Sequence, residues 1–169
     1  MTETVGIRTE APEDAADIRR LTGEAFAGAE HSSGTESAII DSLRAAGALS
    51  LSLVASVDGR IVGHVAFSPV AVAGRDPGWF GLGPVAVQPD RQRAGIGSRL
   101  VRDGLARMRA AGAKGCVVLG DPGYYRRFGF LPAAAMTFAG APPACFMALT
   151  FAGPAPAGPV SYQPAFYLS

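Results

Sequence analysis

Seven residues, Gln92-Arg93-Ala94-Gly95-Ile96-Gly97-Ser98, have the types and spacing to hold a phosphate. They follow an apolar run, Val85-Ala86-Val87, and a turn at Pro89, and they open a stretch of helical periodicity. A helix N-terminus exposes N–H groups that have no intrahelical acceptor and carries a partial positive charge. Glycines there let the backbone approach a ligand closely, so a phosphate or pyrophosphate suits the site. Arg91 and Arg93 add cationic donors. The segment is not a Walker loop, which needs Gly-Lys-Ser/Thr at the helix start. Nor is it a dinucleotide fingerprint: Ala94 stands where the first glycine would begin, and Arg99 or Leu100 where the last would fall. Taken alone, the hexapeptide also fits a plain glycine-containing strand-to-helix loop.

Other chemistry-bearing residues are scattered. Glu30, His31 and Glu36 cluster in or beside one loop, and such clusters are candidates for acid–base work. The bland alternative is a solvated loop in which Glu36 completes the S-x-x-E capping box of Ser33-Gly34-Thr35-Glu36. His64 lies mid-strand in Val62-Gly63-His64-Val65-Ala66-Phe67, where alternation sends it and Ala66 to the side opposite Val65 and Phe67. A lone strand histidine of this kind is expected to be a hydrogen-bonded structural residue. Cys116 and Cys145 make neither a disulfide framework nor a zinc site and read as small core residues of strands. No His/Cys/Asp/Glu cluster has metal-ligand spacing, so no metal is expected.

Composition limits what these residues can serve. The chain has 169 residues, 15 Lys and Arg against 14 Asp and Glu, and a formal charge of +1. That length fits one domain, and near-neutrality argues against a nucleic-acid binder. Hydrophobic residues make up 49% and charged residues 17%, the wrong balance for disorder. No stretch is apolar for long enough to span a membrane, and the first ten residues lack a hydrophobic signal region, so a cytoplasmic protein is expected.

The elements that must position the loop follow from periodicity and punctuation. Val5 and Ile7 alternate as a first strand, and Pro12 to Phe26 has helical spacing through Ile18, Leu21 and Ala25. A second helix carries Ile39, Ile40 and Leu43 and ends near Gly47. Leu49 to Val57 and Ile61 to Val72 form strands joined at Asp58-Gly59, with a bulge or edge position at Pro69. Trp79 to Val87 is the strand that feeds the loop. Gly95 to Ala111 is the helix that leaves it, and Gly112 stops that helix. Cys116 to Leu119 is a short buried strand, and Pro122 to Phe128 a short helix. The last strands are expected at Thr137-Phe138 and Cys145 to Phe151. Gly153 to Pro159, rich in Gly, Ala and Pro, reads as an irregular tether to the terminal Tyr162 to Leu168. That tail either packs back onto its own sheet, the reading preferred here, or docks a partner.

Two landmarks in order carry a resemblance. Val85 to Gly97 resembles the acetyl-CoA-binding motif of the GNAT N-acetyltransferase superfamily: an apolar strand, a Pro-containing turn, then R/Q-x-x-G-x-G/A. Gly120-Asp121-Pro122-Gly123-Tyr124-Tyr125-Arg126-Arg127-Phe128-Gly129-Phe130 looks like the family's second landmark, an aromatic short helix ending in Gly-Phe. One helix and one strand separate them, as in the family, and the chain is most like the YhbS-type predicted acetyltransferases. The resemblance is strong from Leu49 to Phe130 and weakens after Leu131. It implies an α/β (α+β) fold with a mixed, mostly antiparallel sheet flanked by helices on both faces, in a single domain of residues 1–169.

The resemblance also implies roles. Backbone N–H groups from Gln92 through Arg93, Ala94, Gly95, Ile96 and Gly97 to Ser98 would cradle the CoA pyrophosphate, with the Ser98 hydroxyl as a further donor. Main-chain groups of Val85, Ala86 and Val87 would receive the pantetheine arm as an added β-ladder partner. An N–H near Val87 would polarise the thioester carbonyl. The pocket would lie where this strand splays from Cys116 to Gly120. Tyr125 holds the position of the family's general acid, the alternative being that Tyr124 and Tyr125 are both packing aromatics of a short helix. Glu30 and His31 would sit on the loop that borders the acceptor and are the weak candidates for a base. Arg102, Arg107 and Arg109 read as a solvated face, with contact to the ribose phosphate as the sharper option.

The leading function is therefore transfer of an acetyl group from acetyl-CoA to a primary amine, on a small molecule or a peptide, by a monomer or homodimer. The alternatives are a non-catalytic acyl-CoA-binding regulatory module and a protein or peptide N-acetyltransferase. A toxin acting on aminoacyl-tRNA would want a strongly basic face, which this chain lacks.

Overall fold

The structure is a computed structural model and describes residues 4–27 and 34–167. In chain order the elements are β1 (Gly6–Thr9), α1 (Ala15–Phe26), α2 (Glu36–Ala45), β2 (Leu51–Val57), β3 (Arg60–Pro69), β4 (Ala71–Val72) and β5 (Trp79–Val87). They continue with α3 (Ile96–Ala110), β6 (Gly115–Leu119), α4 (Pro122–Tyr125), β7 (Leu131–Pro132), β8 (Met136–Thr137), β9 (Phe146–Thr150) and β10 (Gly158–Ser161). Seven strands form the main sheet in the order β1-β2-β3-β5-β6-β9-β7. Every neighbour pair in it is antiparallel except β5 with β6.

Alternation along the central strands explains the layers. Leu53, Ala55 and Val57 of β2 join Val62, Val65 and Phe67 in a core built on Ile96, Leu100, Val101, Leu105 and Met108 of α3. Val54 and Ala86 point the other way and pack on Ile18 and Leu21 of α1 and Ile40 of α2. Both faces are covered, so these strands read as nearly continuous apolar runs. The helix α3 approaches β3 closely at Gly104, where a Cβ would collide with the Phe67 ring. A mid-helix glycine is here a packing requirement.

A second sheet, ordered β4-β10-β8, covers the β6 and β9 half on the side of α1 and α2. Its strands enclose Trp79, Val117, Phe146 and Tyr162. This sheet corrects the sequence in three places. The strand expected over Ile61 to Val72 breaks at Pro69, and Ala71–Val72 belongs to the second sheet. The stretch read as an irregular tether ends in β10, which pairs with β8 through Gly158 and Pro159 and with β4 through Val160 and Ser161. Each neighbour uses a different half of β10, and the Pro159 carbonyl accepts from Ala73 N–H. The strand expected at Thr137-Phe138 lies one residue earlier, at Met136–Thr137.

Three local corrections remain. Cys116 is buried in β6, but Cys145 is half-buried in a 3-10 turn ahead of β9. Pro12–Asp14 is a 3-10 turn and not the first turn of α1. Helix α2 starts at Glu36 with Thr35 as its N-cap, two residues beyond the cap position that the S-x-x-E reading gives to Ser33. Ser33 lies outside the described residues. The tail packs back on the molecule, with Val160, Tyr162 and Ala165 all buried.

Candidate active site

The strand β5 is paired with β6 only from Trp79 to Gly81, against Gly115 to Val117. Beyond Gly81 the two strands part. On its other edge β5 continues along β3 to Val87, and Gln88 N–H donates to Val62 C=O at 2.9 Å. That bond sets the phase of the antiparallel ladder. His64 and Ala86 form a hydrogen-bonded pair, whereas Val65 with Val85 and Gly63 with Val87 are non-bonded pairs. The N–H and C=O groups of Val85 and Val87 therefore face the gap left by β6. The Val87 carbonyl accepts from Gln92 Nε2 at 3.0 Å, as this orientation requires. Ala86 differs from the expectation drawn for it. Its main chain serves β3 and its side chain is buried with α1.

The glycine loop stands at the mouth of the gap. Pro89–Arg91 is a 3-10 turn, and Arg93 and Gly95 take left-handed conformations at φ 68° and 85°. Gly95 is the N-cap of α3, and no side chain caps the helix. The first N–H groups of α3 therefore have no intrahelical acceptor. A groove of about 690 Å³ runs from Val85 and Val87 past Arg91, Gln92, Arg93, Gly95, Ile96, Gly97 and Ser98 to Tyr124, Tyr125 and Arg127. Of the residues expected to bind there, only Ala86 and Ala94 do not line it. The groove suits a diphosphate carrying an extended arm: free-ended helix donors and guanidinium groups at one end, a strand edge at the other.

The opposite wall comes from α4. The Asp121 side chain accepts from Gly123 N–H at 3.0 Å and starts this short helix. Tyr124 presents its hydroxyl 3.3 Å from the Ser98 hydroxyl. Arg127 lies over the Tyr124 ring, 4.4 Å from its centroid. Tyr125 packs edge-on against Phe130, and a Cβ at Gly120 would collide with the Tyr125 ring. Burial, with a smaller contribution from Tyr124, pushes the Tyr125 hydroxyl up to about 12. It is a protonated phenol at neutral pH.

A second cavity of about 380 Å³ opens on the far side of β5. Val85 and Tyr125 belong to both cavities and form the wall between them. Phe138, Tyr162, Phe166 and Tyr167 contribute to the second cavity, and sequence reasoning assigned none of them to a site. The aromatic density of the tail was the available signal. Glu30 and His31 lie outside the described residues. His64 is fully buried on Ser52, on the side opposite Val65 and Phe67, and takes no part in either cavity. Arg102 and Arg109 lie over Phe128 and Phe151, and Arg107 pairs with Asp103. Among the described residues, no group of three His, Cys, Asp or Glu could hold a metal ion, and no helix is long and apolar enough to cross a membrane.

An exposed strand edge running into an uncapped helix, with a protonated phenol opposite, places the molecule among the N-acyltransferases. The match to the model of the acetyltransferase (GNAT) family over residues 15–130 shows that the chain belongs to that family. It is 42% identical to the uncharacterized N-acetyltransferase YhbS of Escherichia coli K12 over 129 residues, 76% of this chain and 74% of that protein. A GNAT acetyltransferase from Brucella melitensis, solved with acetyl-CoA, superposes with a TM-score of 0.87 at 51% identity, covering 98% of this chain and 99% of that one. The crystal structure of Escherichia coli YhbS with CoA gives 0.91 at 34% identity, covering 99% and 94%.

Proposed function

We propose that the chain transfers the acetyl group of acetyl-CoA to a primary amine by direct attack. The observation that carries this reading is the wall of Val85 and Tyr125 shared by the two cavities. Among the described residues, a donor in the first and an acceptor in the second meet at these two. The relatives solved with acetyl-CoA and CoA support the assignment of the groove to the donor.

In this reading the N–H groups from Gly95 to Ser98, with Arg93, hold the pyrophosphate. The outward main-chain groups of Val87 and Val85 hold the pantetheine arm, and the Val85 N–H, at the wall between the cavities, faces the thioester oxygen, where negative charge develops. The neutral amine forms the new C–N bond while the C–S bond breaks, and the electron pair leaves on sulfur. Tyr125 donates its proton to that sulfur and regains one from the attacking nitrogen. The products are an amide and a free thiol.

The test is calorimetric titration of the protein with acetyl-CoA beside a Gly95→Glu variant. The substitution forces a side chain into a left-handed position and sets a carboxylate against phosphate. Micromolar binding that the variant loses by about 100-fold or more, roughly 2.7 kcal/mol, supports the reading. Well-folded protein that binds no acyl-CoA overturns it.

A further inference from the structure

We propose, resting on the acyltransfer reading, that the acceptor is an aryl-alkyl primary amine, and that the C-terminal tail selects it. Among the described residues, thirteen line the second cavity; six are aromatic, and one, Glu36, is charged. A polyamine would bring several ammonium groups to a wall this rich in rings, where most of them would be poorly solvated. A ring on a short alkylamine matches the lining instead. Its amine lies at the Val85 and Tyr125 wall, and its ring lies among Phe138, Tyr162 and Phe166. The cavity of about 380 Å³ is in the range of small-molecule sites.

The aromatic wall is built, not incidental. The Tyr162 ring lies over Gly81, the last β5 residue paired with β6, and a Cβ at Gly81 would collide with it. The tail is thus keyed to the point where the strands part. Phe138 meets Tyr162 edge-on at 5.3 Å between centroids, and Phe166 is tilted against it at 5.2 Å. Tyr162 N–H donates to the Tyr167 hydroxyl at 3.1 Å, and Gln163 Nε2 donates to Pro69 C=O at 3.0 Å. Ala165 is buried against Ile39 and Leu43 of α2. Rings held edge-on and tilted in this way present both faces and edges to an incoming ring.

The experiment measures CoA release by the full chain with acetyl-CoA and phenethylamine, spermidine or glycine. Phenethylamine should exceed the other two in kcat/KM by about 10-fold or more, as burial of one ring implies. Phe166→Ala should raise the KM for phenethylamine by about 10-fold while leaving the affinity for acetyl-CoA unchanged. Phe166→Leu, which keeps an apolar side chain at this half-buried position, should give a smaller loss in the same direction. A preference for spermidine or glycine overturns the inference, as does a Phe166 variant that weakens all three amines equally. Binding of acetyl-CoA with no turnover of phenethylamine overturns it too and leaves the donor assignment standing. Failure to bind acetyl-CoA overturns the acyltransfer reading itself and this inference with it.

Discussion

Ser52 Oγ lies 2.7 Å from His64 Nε2, and the same hydroxyl meets the Glu10 carboxylate. Glu10, also held by Arg44, is kept below its ordinary value by the Arg44 and Ser52 hydrogen bonds, against burial that would raise it. An ionised Glu10 accepts the hydrogen bond of the Ser52 hydroxyl, so the Ser52 oxygen accepts from His64 Nε2–H. His64 is then the Nε2 tautomer, and its Nδ1 is buried with no hydrogen-bond partner among the described residues. The trio has the residue types of a hydrolytic triad in the wrong order, because the carboxylate is on the serine and not on the imidazole.

Burial pushes His64 down to about 4, against an opposing pull from Glu10. An unfolded chain binds a proton at this residue near pH 6.5, and the folded chain does not. Stability is full above the unfolded value and falls as pH drops from 6.5 toward 4. Between pH 7.5 and 5 the loss from this residue should be about 2 kcal/mol. Urea unfolding at the two pH values checks it, and His64→Gln should remove most of the difference. Glu10 and Asp14, both held down in the fold, act lower, as pH falls through the carboxylate range.

Tyr125→Phe removes one hydroxyl and keeps the ring that Gly120 and Phe130 accommodate. The expected result is a fall in kcat of about 10²-fold or more with acetyl-CoA affinity unchanged. Because the Tyr125 hydroxyl is pushed up to about 12, the parent rate should show no loss from its ionisation up to about pH 10. Steady-state kinetics across pH 6 to 10 (an approximate working range) tests both statements. A descending alkaline limb below about pH 10 that the phenylalanine variant lacks would contradict the raised value, and a phenylalanine variant with unchanged kcat would contradict the role.

Gly104→Ala is ordinarily favourable in a helix. Here the added methyl meets the Phe67 ring at the contact between α3 and β3. Denaturant unfolding should show a loss of about 1–3 kcal/mol. A gain in stability would mean that the helix moves away from the sheet at no cost.

The donor side was legible because its information is local. A strand, a turn, a glycine pair and a helix are contiguous from Val85 to Ser98, and each has a sequence signal. Alternation gave the face of His64, and the usual part of a lone strand histidine gave its structural role. The cavity proposed for the acceptor was not legible. Its wall joins Phe26, Glu36, Leu82, Phe138 and Tyr162, which only the tertiary fold brings together. The strand β10 escaped for a related reason: a four-residue Gly-Pro-Val-Ser segment has no period to detect and is held by partners remote in sequence. The start of α2 was placed two residues early because the S-x-x-E pattern names Ser33 as the cap, and the helix takes Thr35.

The keying of Tyr162 over Gly81 also separates two kinds of heredity in one polypeptide. The donor groove is complete by Arg127, whereas four residues of the second cavity come from Phe138 onward. Drift in the last thirty or so codons can remodel one cavity while the groove and the Val85–Tyr125 wall stay under their own constraint. Such a gene can change its customer without changing its currency.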